Sequence, residues 1–374
     1  MPSWFDVLVI GGGPAGLAMA IAARQHGLTV AVADGIHPPI DKACGEGLMP
    51  DALAAFQRLG LQLPPAEAYP FRGIRFLSRT RATDARFPAG RFGLGARRTV
   101  LHHTMTERAA QVGAELLWGR VVTGMAADGI RMGKDFVRAR WIVGADGSNS
   151  RVRRWAGLEA SYRPRLRYAF RSHYQLAPWT DHIEVHWGER CQGYATAVSA
   201  EQVCVVMASD DPKLRLADGL KDLPCLSERL QNAETVTTER GAITGNRRLK
   251  QVCRGNVALI GDAAGTVDVI TGGGLRLAFS QAIALAECME AGDLAPYQQI
   301  HDRLTLRPRL MARLMLMLDG RPRLQDRTLG VFQKHPEIFR RLLALHVGAL
   351  PPRELVWNSL ALGWGLITGW QCAK

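Results

Sequence analysis

The chain has 374 residues, 47% hydrophobic and 22% charged, which is enough apolar material for a two-lobed packed core and too much for a disordered polymer. Its seven cysteines are scattered and never form C-x-x-C, which argues against a zinc site or a disulfide framework and for reduced thiols. Net charge is +13, concentrated in residues 72–98 (eight Arg against Asp84) and 301–353 (eleven Lys and Arg against four acids). Such a field suits a phosphorylated cofactor, an anionic membrane surface or an acidic carrier protein. No nucleic-acid motif accompanies it, so nucleic acid is not expected. No apolar run reaches the roughly 18 residues of a spanning helix, and the first strand begins too early for a signal peptide. The expectation is a cytoplasmic protein, with peripheral membrane contact as the alternative.

In chain order, Asp6 to Ile10 is a short apolar run suited to a buried parallel strand. It leads into Gly11-Gly12-Gly13-Pro14-Ala15-Gly16 and a helix from Leu17 to His26. In such a turn Gly11 permits the bend, Gly13 lets backbone approach a pyrophosphate, and Gly16 lets helix and strand pack closely. A second strand, Leu28 to Ala33, ends at Asp34, where a carboxylate would accept hydrogen bonds from a ribose. A loop to Met49 and a helix from Pro50 to Leu59 follow. Short strands are expected over 71–95, a helix over Arg98 to Val112, and strands near 114–118 and 120–126. Asp128-Gly129 marks a hairpin.

Trp141 to Ala145 is another apolar strand, closed by Asp146-Gly147. Residues 165–210 read mainly as strands, with alternation over His182 to Trp187. Asn256 to Ile260 is a further buried strand entering Gly261-Asp262, and the chain beyond Gly273 is largely helical. The fold class is α/β in a mixed α+β arrangement. A Rossmann-like lobe would use 1–70, 98–160 and 252–295; a β-rich substrate lobe would use 71–97 and 161–251; a helical region would cover 296–374.

Three fingerprints therefore occur in order: Gly11/Gly13/Gly16 with Asp34; Gly144-Ala145-Asp146-Gly147 through Arg153; and Gly261-Asp262-Ala263-Ala264-Gly265 with Thr271-Gly272-Gly273-Gly274. On these residues the chain, over about 4–290, resembles the FAD-dependent oxidoreductases of the para-hydroxybenzoate hydroxylase fold. That superfamily includes aromatic monooxygenases, flavin halogenases and geranylgeranyl reductases. The resemblance implies FAD held by Gly11, Gly13, Pro14, Ala15, Gly16, Asp34, Arg98, Val122, Asp146, Asp262, Gly272, Gly273 and Gly274, with NAD(P)H as a transient reductant.

The branch signals conflict. Gly265 stands where hydroxylases carry His, and Lys42-Ala43-Cys44-Gly45-Glu46-Gly47 is similar to the loop of geranylgeranyl reductases. Gly193-Tyr194-Ala195-Thr196-Ala197-Val198-Ser199, however, has Thr and Ser where those reductases carry Trp and Pro, and the halogenase W-x-W-x-I-P motif is absent. The expectation is a monooxygenase of a hydrophobic small molecule in secondary metabolism. An alkene reductase is the runner-up, and a non-catalytic flavin or lipid binder the outlying alternative. Cys44 and Glu46 are the candidate proton-handling residues. Of His102 and His103, one step apart on a helix, one should be exposed. His173 and His186 read as core histidines ahead of substrate-facing ones. The apolar, Gly-broken segment 355–370 is read either as a docked tail or as a surface that touches membrane.

Overall fold

The computed structural model describes residues 4–159 and 166–351. Its first lobe grows from β1 (Trp4–Ile10), α1 (Pro14–Gln25) and β2 (Val30–Asp34). β1 is apolar and almost wholly buried, as a central parallel strand must be when both sheet faces are covered. Pro14 sits in the first turn of α1, where its missing N–H costs nothing. The helix therefore starts three residues earlier than the sequence suggests. Leu17 to Ala23 are buried all round, because α1 lies between the sheet and a second helix.

The chain continues through α2 (Pro50–Arg58), β3 (Gly73–Leu77), β4 (Ala82–Arg86), α3 (Arg98–Gln111), β5 (Glu115–Trp118) and β6 (Asp135–Gly144). Then come α4 (Arg151–Trp155), β7 (Leu166–Gln175), β8 (His182–Trp187), β9 (Cys191–Ala197), β10 (Gln202–Ser209), β11 (Arg240–Gly245) and β12 (Val257–Leu259). Four helices close it: α5 (Gly274–Glu290), α6 (Ala295–Leu318), α7 (Pro322–Lys334) and α8 (Pro336–His346).

The first sheet runs β12-β6-β1-β2-β5, all parallel, with a short antiparallel hairpin (124–126 and 129–132) on β6. That hairpin turns at Asp128, as expected; the strand foreseen over 120–126 is reduced to 124–126. The second sheet runs β7-β10-β9-β8-β3-β4, with β11 beside β7, and is antiparallel except where β8 meets β3. Residues 93–95 leave this lobe and pair with 47–48 and 69–71 in a small separate sheet.

Pleat alternation sorts the second sheet's faces. Ile183, Val185 and Trp187 of β8 turn one way, whereas Glu184 and His186 turn the other and bond each other at 3.0 Å. Helices α7 and α8 cover the apolar face. Phe339 stacks on Phe332 with centroids 4.9 Å apart and meets Phe76 at 5.4 Å, and Phe76 meets Trp187 at 4.8 Å. Each ring buried this way contributes about 1.5–3 kcal/mol. Among the described residues no helix is long and apolar enough to cross a membrane. The 355–370 segment lies outside the described residues.

Candidate functional site

A single cavity of roughly 730 Å³ begins at the Gly-rich turn and ends under the C-terminal helices. Its nucleotide end lies at the carboxyl ends of β1, β2 and β6, where open α/β sheets bind ligands. The close approaches there require glycine. A Cβ on Gly16 would lie 1.8 Å from the Gly11 carbonyl oxygen. One on Gly11, whose φ is +107°, would lie 2.4 Å from Ala145 O. At Gly13 a Cβ would meet no protein atom closer than 4.0 Å. Gly13 therefore leaves room for something other than protein.

Asp34 accepts from Gly12 N at 2.7 Å and from Ile36 N at 2.8 Å, which fixes its carboxylate at the cavity edge. His102 supports the turn from behind through Gly12 O at 2.9 Å. Its burial lowers its pKa and keeps it neutral, whereas His103 is exposed and pairs with Glu107.

Asp146 caps α4 by accepting from Arg151 N at 2.7 Å, and its buried Oδ1 has no partner. Arg151 reaches Val122 O at 3.5 Å. Arg153, almost fully buried, donates to Ala263 O at 3.0 Å and Ser148 O at 2.8 Å, thereby fastening the second fingerprint to the third. Asp262 lies across the cavity from the 35–49 loop and pairs with Lys42 at 3.1 Å. Gly272 and Gly274 have no atom within reach of an added Cβ, and they open α5 with its free N–H groups.

FAD fits these residues. Orphaned Arg98 Nε and Asp146 Oδ1, the open flanks of Gly13, Gly272 and Gly274, and the volume all suit a dinucleotide. Gly11 to Gly16 with Arg98 would hold the pyrophosphate, Asp34 the ribose, and the Asp262 and Gly272–Gly274 region the ribityl chain and ring. Bound there, FAD supplies two-electron redox chemistry to the adjoining chamber.

The two candidate proton-handling residues are placed differently. Cys44 lines the cavity, and its sulfur accepts from Glu46 N at 3.4 Å. Glu46 adopts φ +58°, and its side chain is wholly buried. One carboxylate oxygen accepts from Arg98 N at 2.9 Å and from Arg171 Nη1 at 3.2 Å; the other lies 2.6 Å from His173 Nε2. Arg171 also grips Asp41 through two bonds at 2.8 and 2.9 Å. The carboxylate of Glu46 thus ties the 35–49 loop to β7. Glu46, His173 and Cys204 have metal-ligand spacing, and a cationic group already stands beside two of them, Arg171 Nη1 lying 3.2 Å from both Glu46 Oε1 and His173 Nδ1.

The substrate end is apolar, walled by Ile74, Phe76, Trp187, Leu314, Phe332 and Leu342. Among the polar side chains that break that wall are Tyr194, Asp268 and His346. None was singled out for chemistry from sequence, because each draws its environment from distant segments. Burial holds His346 down to about 4, so it is neutral at physiological pH, and it raises both the Asp268 carboxyl and the Tyr194 phenol.

The basic stretch from 72 to 98 is less of a free field than its composition implied. Arg72 and Arg86 pair with Asp181, Arg75 with Glu184, Arg79 with Glu189 and Arg81 with Asp326. Arg98 belongs to the cavity.

Residues 5–171 match the model of an FAD binding domain. Menaquinone reductase of Mycobacterium tuberculosis is 29% identical over 328 residues, 78% of either chain. Digeranylgeranylglycerophospholipid reductase 1 of Methanothermobacter thermautotrophicus is 29% identical over 295 residues, covering 72% of this chain and 73% of its own. Among solved structures, a flavin-dependent brominase superposes with a TM-score of 0.78 at 20% identity, covering 92% and 94% of the two chains. A geranylgeranyl bacteriochlorophyll reductase-like protein of Thermoplasma acidophilum gives 0.73 at 19%, covering 92% and 99%. At these identities the structural matches establish the fold alone.

Proposed function

We propose that this chain, which carries an FAD binding domain over residues 5–171 and has the fold of the flavin-dependent brominase, is an FAD-dependent reductase of an unsaturated lipid-like molecule. The observation that carries the reading is sequence similarity to two kinds of lipid reductase over roughly three quarters of the chain. The brominase and monooxygenase neighbours share only the fold, at 18–20% identity. Reduction therefore moves ahead of the monooxygenation favoured from sequence. The long apolar chamber supports a hydrophobic substrate, whose transfer from water gains about 25 cal/mol per Å² buried. NAD(P)H binding transiently is the proposed source of electrons.

This chain's residues would bind, orient and protonate. Phe76, Trp187 and the helix side chains exclude water and align the unsaturated carbons. Cys44 and Asp268 offer protons at the chamber wall. The test is to reduce the holoenzyme without oxygen and mix it with unsaturated lipids or quinones while following oxidised-flavin absorbance. Anaerobic reoxidation with a reduced product is expected. If the flavin reoxidises only with O₂, and the product carries inserted oxygen, monooxygenation is the correct reading.

A further inference from the structure

One buried guanidinium serves several acids, one of which lines the chamber. Arg167, on β7 and 3% exposed, bonds Asp319 through Nη1 and lies 3.7 Å from both Asp268 and Asp210. Asp319, just past α6, also accepts from Gln192 Nε2 at 2.7 Å, and Gln192 Oε1 in turn accepts from Tyr194 Oη at 2.9 Å. The chain of contacts therefore has two ends in the cavity, Asp268 and Tyr194.

The carboxylates of Asp319 and Asp268 are not equivalent. Asp319 holds the close Arg167 bond and an amide donor, and it keeps 21% side-chain exposure. Asp268 is 4% exposed, and among the described residues its Oδ1 has Ile270 N at 3.2 Å and the longer Arg167 contact. A single guanidinium compensates one nearby carboxylate well and a second poorly, so the less solvated, less bonded acid keeps its proton. The direction of the Asp268 shift agrees: burial raises it, more than Arg167 lowers it. The groups facing it are Arg167 on β7, Asp319 after α6, Asp210 after β10 and Tyr194 on β9. Asp268 also lies three residues before Thr271, in the strand-to-helix loop that leads to the Gly272–Gly274 cradle.

We propose that Asp268 is the proton donor of the reduction, with Arg167 and Asp319 as its positioning residues. The inference rests on the reductase reading above. When a hydride equivalent from reduced flavin adds to one carbon of a double bond, the π pair is left for the neighbouring carbon. The Asp268 O–H bond breaks, its proton and the π pair form the new C–H bond, and the O–H electrons stay on the carboxylate beside Arg167. The acid recovers its proton from water entering the chamber.

Two measurements on the holoenzyme test this. Infrared difference titration should show a protonated carboxyl band, shifted by D₂O, at a pH where ordinary aspartates are ionised. D268N should lack that band. Anaerobic reoxidation of reduced enzyme by an unsaturated lipid should slow about 10²–10⁴-fold in D268N and lose its dependence on a single acid. D268E should recover part of the rate, with flavin content and dithionite reduction unchanged in both variants. A wild type without the band, or a D268N variant at full rate, overturns the proposal. If the band is present but no unsaturated lipid reoxidises wild-type flavin anaerobically, the reductase reading fails, and the delivery step falls with it.

Discussion

The nucleotide end of the cavity is supplied mainly by short stretches, each read at the tip of one strand: Gly11 to Gly16 after β1, Asp34 at the end of β2, and Asp146 after β6. The substrate end is assembled differently. Tyr194 comes from β9, Asp268 from the turn before α5 and His346 from the end of α8, with Arg167 of β7 behind Asp268. At the first end backbone geometry dominates, so glycines carry the specificity. At the second, paired buried charges dominate, so the cost of error is electrostatic. Variants that exchange these two kinds of failure sharpen the contrast.

The largest effect should come from Arg171→Met, which leaves Asp41 and Glu46 without their guanidinium. Removing one member of a buried ion pair costs about 3–5 kcal/mol. Denaturant unfolding of the purified variant should show that loss. A loss below about 1 kcal/mol would mean that the hub is solvated.

His346 makes the next test, through pH. Burial holds its pKa near 4, below the ordinary histidine value of about 6.5. The unfolded chain therefore binds the extra proton between those two values, and stability falls as pH drops from 6.5 towards 4. The ceiling is about 3 kcal/mol, at 1.36 kcal/mol per unit. His301, also held near 4, adds to the same slope. His346→Gln should flatten the stability profile in that window, and an unchanged slope would place the titration at His301 alone.

Gly16→Ala and Gly13→Ala separate the two uses of glycine. The first drives a Cβ into Gly11 O and should cost about 1–3 kcal/mol of stability. The second meets open space, so the melting temperature of the apoprotein should hold while FAD affinity drops at least about tenfold, or 1.4 kcal/mol. Equal melting losses in both would show that Gly13 packs against protein.

The smallest effect is expected at the hairpin between β3 and β4, where Arg81 pairs with Asp326 at 3.0 Å across an exposed surface. Arg81→Ala should cost under about 1 kcal/mol and become silent at high salt.

The strand tips were legible because their chemistry is local. A strand, a Gly-rich turn and an acid at fixed offsets leave little freedom, and Asp34, Asp146 and Asp262 all border the cavity. Glu46 was legible as a residue but not in its bonding, because Arg171 and His173 stand more than a hundred positions away. Asp268 was visible only as a neighbour of the third fingerprint. Its significance depends on Arg167 and Asp319, which no spacing rule joins to it. Arg72 to Arg86 looked like a free basic field because pairing with Asp181, Glu184, Glu189 and Asp326 is a tertiary fact.

The bonds from Arg171 to Asp41 and Glu46 also divide the molecule's motions in a way its sequence order does not. Residues 35–49 continue the nucleotide lobe along the chain, yet they are moored to the sheet of the other lobe. In amide exchange they should open together with β7 rather than with β2, as one cooperative unit. A ligand that stiffens the sheet would then also slow the opening of the segment that carries Lys42 and Cys44 along the cavity. Occupancy of one chamber would be felt as residence time in the other.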